Sequence, residues 1–140
     1  MGTRETVEAF YGAVTGGDMS TFFDVLAEDV VVTEPSFLPY GGAWKGKDGM
    51  KAMLGPAGQV LDIPTLAVKH IIVEGDRAFV TLTSGRLGTD EILAIAEEVV
   101  VRDDKITEIT VYLHEVGSLV VPASEQAVAP EQRHPTAVQS

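Results

Sequence analysis

Residues 65–116 read TLAVKHIIVEGDRAFVTLTSGRLGTDEILAIAEEVVVRDDKITEITVYLHEV, and this stretch decides the fold. Four apolar, β-branched runs at 65–74, 77–86, 91–102 and 105–116 are separated by Glu74-Gly75-Asp76-Arg77, by Leu87-Gly88-Thr89-Asp90 and by Asp103-Asp104. Turn residues between such runs predict hairpins, so the four runs form an antiparallel meander. In the last run Ile109, Val111 and Leu113 alternate with Glu108, Thr110, Tyr112 and His114, which puts the odd positions on the interior face.

Upstream the apolar period changes from two to 3.6. Val7, Phe10, Tyr11 and Val14 recur at helical spacing, with Thr3 as the expected cap and Gly16-Gly17 as the stop. Asp18 caps a second helix reaching Leu26, on which Phe22, Phe23 and Leu26 form one stripe. Residues 30–33 are a short β-branched strand that delivers Glu34-Pro35, and Pro35 ends its pairing. A Gly/Pro-rich loop at 36–46 leads to a short helix from about Lys47 to Leu54, closed by Gly55-Pro56. Helices first and strands afterwards is an α+β order, in which a curled antiparallel sheet wrapped on helices leaves a cone with an internal pocket. Residues 1–116 form this one domain, and 117–140, rich in Ala, Pro, Gln and Glu, read as an irregular tail.

With 140 residues, 45% of them hydrophobic, the chain buries a core without staples. It has no cysteine, which removes disulfides and thiol nucleophiles from consideration. The net charge of −11 and the lack of any Lys/Arg cluster argue against nucleic acid. No apolar run is long enough to span a bilayer and no signal peptide is evident, so the expectation is a cytoplasmic protein that does not engage membranes. His70, His114 and His134 are scattered, and no spacing of His, Asp and Glu points to a metal.

Several segments look familiar in this order: Gly17-Asp18, Ala27-Glu28-Asp29-Val30 before Glu34-Pro35, Gly46-Lys47-Asp48-Gly49, and Arg102-Asp103-Asp104-Lys105-Ile106. Over residues 3–116 the chain resembles the SnoaL-like and ketosteroid-isomerase-like branch of the nuclear transport factor 2-like superfamily. That resemblance implies work without a cofactor. It also implies roles, since ketosteroid isomerases carry a proton-shuttling aspartate immediately before this proline, where Glu34 stands here. On the strand position of Glu97 they carry a protonated acid of the oxyanion hole, and SnoaL-like cyclases carry a histidine. The oxyanion-holding tyrosine of the isomerases aligns with Phe10, while Tyr11 is one residue off and about 100° around the helix. Tyr40, in the loop after Glu34, is the candidate replacement donor. Val111 stands where SnoaL-like cyclases and limonene epoxide hydrolases place an aspartate, and Thr81 and Thr83 stand near the arginine and aspartate of the hydrolases. Those departures argue against both specific chemistries.

Which of Glu97 and Glu98 faces inward depends on the turn at Asp103-Asp104. A three-residue bulged loop pairs Val101 with Lys105 and sets Glu97 opposite Ile109, inside; a strict two-residue turn brings Glu98 in instead. Glu97 is preferred, because relatives carry Gly at the position of Asp104 and Asp tolerates the left-handed conformation of a bulged loop. Two carboxyls in one apolar cavity do not both ionise easily. The expected division makes Glu34, in a wetter place near the mouth, the base, and keeps Glu97 protonated. Phe10, Phe22, Phe37, Trp44, Phe79, Val99, Val111 and Leu113 are the expected walls for a hydrophobic small molecule. The function expected from residues and resemblance together is cofactor-independent acid–base chemistry on a hydrophobic carbonyl compound, as an isomerase, polyketide cyclase or dehydratase. A non-catalytic ligand-binding domain and an interaction module are the alternatives. Ile92, Ala94, Ala96 and Val100 on the outer sheet face point to a homodimer.

Overall fold

The computed structural model describes residues 2–114 and runs α1 (Thr3–Gly16), α2 (Met19–Asp24), β1 (Leu26–Glu34), β2 (Gly42–Lys45), α3 (Gly46–Ala57), β3 (Leu61–Glu74), β4 (Arg77–Arg86), β5 (Ile92–Arg102) and β6 (Lys105–His114). The expected tail at 117–140 lies outside the described residues. Gly2, not Thr3, caps α1: its N–H donates to the Glu5 carboxylate at 3.0 Å, and Gly17 ends the helix at φ 72°. Asp18 caps α2 by accepting from the Thr21 N–H at 3.1 Å. That helix stops at Asp24, short of Leu26, because Leu26 is claimed by the sheet, where it pairs with Ile106. The Lys105 ammonium donates to the Asp24 carbonyl at the helix end.

Six strands form one sheet in the order β2-β1-β6-β5-β4-β3. The four-strand meander is present as expected, but the sheet is mixed, because β1 runs parallel to β6. Hairpin turns fix direction only between strands adjacent in sequence, whereas β1 meets β6 through a long connection. Residues 42–45, expected in a loop, are the edge strand β2, with Trp44 opposite Val32. The turn before β2 is closed by the Leu38 N–H on the Pro35 carbonyl at 3.1 Å and the Gly41 N–H on Leu38 at 3.0 Å. A side chain at position 41 would collide with the Pro35 carbonyl, so Gly41 is what allows the chain to fold back there. Helix α3 runs past Leu54 to Ala57, carrying Pro56 in its last turn, where the Leu54 carbonyl accepts from the Gly58 N–H at 3.0 Å.

The turn between β5 and β6 differs from the preferred one. Arg102 pairs with Lys105, so the connection is the two-residue turn Asp103-Asp104, with φ of 52° and 61°. Continued strictly, that register would turn Glu98 inward. A bulge intervenes: Val101 pairs with Ile106 but Val100 with Glu108, leaving Thr107 as one extra residue. Its hydroxyl donates to the Val100 carbonyl at 3.3 Å. The phase is thereby restored and Glu97 stands opposite Val111, not Ile109, which pairs with Val99. The bulge also breaks the alternation locally, so Val100, expected on the outer face, is buried like its neighbour Val101.

Between α1 and the inner sheet face lies the core, which includes Val7, Phe10, Tyr11, Val80, Leu93 and Val99. Each fully buried aliphatic side chain contributes about 1.5–3 kcal/mol. Among the described residues no helix is long and apolar enough to cross a membrane.

Candidate functional site

The inner sheet face does not fill completely against α1 and α3. A cavity of about 210 Å³ remains, with walls from Phe10, Phe22, Val32, Met50, Ile109 and Val111. Among the described residues, its polar lining side chains are Tyr11, Glu34, Tyr40 and Glu97. Glu34 arrives as the last residue of β1, on the phase of the buried Val30 and Val32. Tyr40 is carried by the turn closed at Gly41, and its carbonyl accepts from the Trp44 indole N–H at 2.9 Å. Glu97 projects from mid-β5, flanked by paired Val80 on β4 and Val111 on β6.

Tyr11 donates its phenolic hydrogen to the Glu97 carboxyl. Burial first, then the nearby Glu97 carboxyl and this hydrogen bond, hold the Tyr11 phenol protonated, well above its usual range. Glu97 is raised by burial, with the Tyr11 hydrogen bond opposing the rise. Glu34 has no side-chain hydrogen bond among the described residues, is only 8% exposed, and is pushed up to about 8 by burial first and by the Glu97 charge second. Tyr40 is raised for the same reason, burial first, with the Glu34 and Glu97 charges adding to it.

Burial raises both carboxyls, as expected for Glu97 but not for Glu34, which was expected in a wetter place. Glu34 is enclosed and has no side-chain hydrogen bond among the described residues, because β1 continues to Glu34 itself and the turn after it folds back. Glu97 has a donor, so it is the better place for the negative charge. Of the two, Glu97 has the donor that favours a charge, and Glu34 the setting that favours a proton.

Of the expected site residues, Glu34, Glu97 and Tyr40 line one cavity with Phe10, Phe22 and Val111. Phe37, Trp44, Phe79, Val99 and Leu113 do not line it. Phe79 stands between the inward Ala78 and Val80, so it points outward, 41% exposed, with its ring 6.4 Å from that of Tyr112. Val99 is wholly enclosed in the core, and Phe37, Trp44 and Leu113 pack half-buried against that core. Tyr11 is the participant that sequence reasoning set aside. The signal was present: Val7, Phe10, Tyr11 and Val14 form one helical stripe, and a phenol on a buried stripe requires a hydrogen-bond partner. Phe10 keeps the ring packing, stacked on Phe22 at 4.9 Å and edge-on to Tyr11 at 5.0 Å.

Among the described residues no Lys, Arg or His lines the cavity, and no cluster of His, Cys, Asp or Glu could hold a metal ion. An anionic ligand would bring a further negative charge beside two carboxyls with no counter-charge among the described residues. A neutral aryl ketone such as 2-acetylnaphthalene is therefore expected to bind at least about tenfold tighter than its carboxylate isostere 2-naphthoate at neutral pH. Isothermal titration of both checks this, and equal affinities would contradict the electrostatic picture.

Three solved structures illustrate the likeness. A protein of unknown function with a cystatin-like fold from Xanthomonas campestris is 22% identical, covering 82% of this chain and 92% of its own, at a TM-score of 0.73. An NTF2-like protein of unknown function from Burkholderia pseudomallei is 21% identical, covering 86% of this chain and 98% of its own, at 0.72. TerC, co-crystallised with polyporic acid, is 25% identical, covering 81% of this chain and 92% of its own, at 0.71. No curated protein sequence matches the chain. The profile of the SnoaL-like domain matches residues 7–109, which include all four polar cavity residues. By that match, and by a fold shared with NTF2-like proteins, the chain belongs to the SnoaL-like domain family.

Proposed function

We propose that the protein is a cofactor-independent acid–base enzyme that enolises a hydrophobic carbonyl compound. The observation that carries this reading is the gathering of two carboxyls and two phenols in an otherwise apolar cavity. Glu97, held by Tyr11, takes the proton from the carbon next to the carbonyl. Glu34, keeping its proton, and the Tyr40 phenol donate hydrogen bonds to the carbonyl oxygen as it gains the charge of an enolate. Return of the proton from Glu97 to a different carbon gives isomerisation. Attack of the enolate carbon on a second carbonyl gives cyclisation, and loss of a β-hydroxyl protonated by Glu34 gives dehydration.

The division of roles differs from that implied by ketosteroid isomerases, and rests on the Tyr11 hydrogen bond and on the burial of Glu34. A relative crystallised with an organic small molecule supports a ligand in this cavity. The test is deuterium incorporation at the α-carbon of an enolisable ketone that binds: exchange supports an enzyme, and tight binding without exchange supports a ligand-binding domain.

A homodimer through the outer sheet face belongs to the same proposal, since Ile72, Phe79, Ile92 and Tyr112 are 41–67% exposed there. Sedimentation at micromolar concentration is expected to give a dimer that Ile92→Asp disrupts; a monomeric wild type removes this part of the proposal.

A further inference from the structure

The rim of the cavity contains a break in the sheet that the chemistry above does not use. Strand β3 pairs Leu61 with Arg86 and Asp62 with Gly85, then resumes with Ala67 opposite Thr83. Four residues, 63–66, therefore stand against Ser84 alone. Pro64 lies among them and has no N–H to give to a ladder. The bulge is closed by one side chain: the Thr65 hydroxyl accepts from the Gly85 N–H at 2.8 Å and donates to the Asp62 carbonyl at 2.6 Å. A Cβ at position 85 would lie 3.0 Å from the Thr65 hydroxyl oxygen, so glycine permits this approach.

Two residues of the bulge, Ile63 and Leu66, line the cavity while Pro64 and Thr65 are exposed. Met19, 44% exposed, and the half-buried Leu54 also line the cavity. This part of the cavity wall is thus held not by a run of backbone ladder bonds but by a single hydroxyl on an edge strand. The enclosed space, about 210 Å³, is smaller than the roughly 300–1,000 Å³ of pockets for drug-sized ligands.

We propose that residues 63–66 are the specificity-determining rim of the cavity and that Thr65, latched to Gly85, is the positioning residue that sets how large a ligand enters. With the latch made, Ile63 and Leu66 close over a ligand of about two fused rings. When the latch opens, the bulge swings away from β4 and a larger ring system is admitted. This rests on the reading of the cavity as a ligand site, but not on any proton transfer within it.

The test compares binding of a two-ring ketone, 2-acetylnaphthalene, with a four-ring ketone, 1-acetylpyrene, to wild type, Thr65→Val and Thr65→Ser. Valine keeps the shape of threonine and removes the hydroxyl; serine keeps the hydroxyl. Losing one hydrogen bond that competes with water is expected to move the affinity ratio toward the larger ketone by about five- to tenfold in Thr65→Val. Thr65→Ser retains the wild-type ratio, and hydrogen exchange at the Gly85 amide accelerates in Thr65→Val alone. An unchanged ratio despite a deprotected Gly85, an equal weakening of both ketones, or an unaffected Gly85 amide overturns the proposal, as does failure of all three forms to bind either ketone. A shifted ratio with no α-proton exchange leaves the rim in place and removes the enolisation reading instead.

Discussion

Glu97→Gln is expected to lower α-proton exchange by about 10²–10⁴-fold, the usual worth of a positioned general base. An amide can accept the Tyr11 hydrogen bond through its oxygen but cannot take a proton from carbon. Glu34→Gln is expected to cost far less, about tenfold, because an amide N–H still donates to the developing oxyanion. Following deuterium incorporation by proton NMR with a bound ketone separates the two. Exchange that survives in Glu97→Gln and vanishes in Glu34→Gln would return the base to Glu34, and equal losses would end the division of roles. The pH profile gives an independent check. Exchange should decline as pH rises through about 8, where Glu34 loses the proton it donates.

The second large effect concerns stability and needs no substrate. The folded chain raises Glu34 from its ordinary 4.5 to about 8. Between those values the unfolded chain has already released this proton while the folded chain still holds it, so the unfolded state binds fewer protons and stability falls as pH rises. The penalty is absent below about pH 4.5 and complete above about pH 8. At about 1.4 kcal/mol per pH unit the loss is on the order of 3–5 kcal/mol. Glu97, also raised, adds in the same direction. Glu34→Gln removes the Glu34 share, so its advantage over wild type in urea unfolding should be near zero at pH 4.5 and several kcal/mol at pH 9. Parallel pH profiles for the two proteins would mean that Glu34 ionises freely in the folded state.

The sequence by itself determined the parts governed by local rules. Apolar period and turn residues placed three helices and the four-strand meander, because the 3.6 and 2.0 repeats follow from backbone geometry. Glu34 was legible as a cavity carboxyl from its place at a strand end before Pro35 and from the resemblance to ketosteroid isomerases. Tertiary structure alone decided what depends on residues remote in sequence. The parallel pairing of β1 with β6 converts an expected antiparallel sheet into a mixed one, and no turn announces it. Thr107, an unremarkable threonine in an alternating strand, is the extra residue that turns Glu97 inward after a two-residue turn would have turned it out. Tyr11 and Glu97 stand 86 residues apart in sequence, and only the docking of α1 on β5 joins them. That contact gives Glu97 a donor that opposes the effect of its burial, and a carboxyl's preference for its charged form depends on the donors that packing brings within reach and not on the residues beside it in the chain.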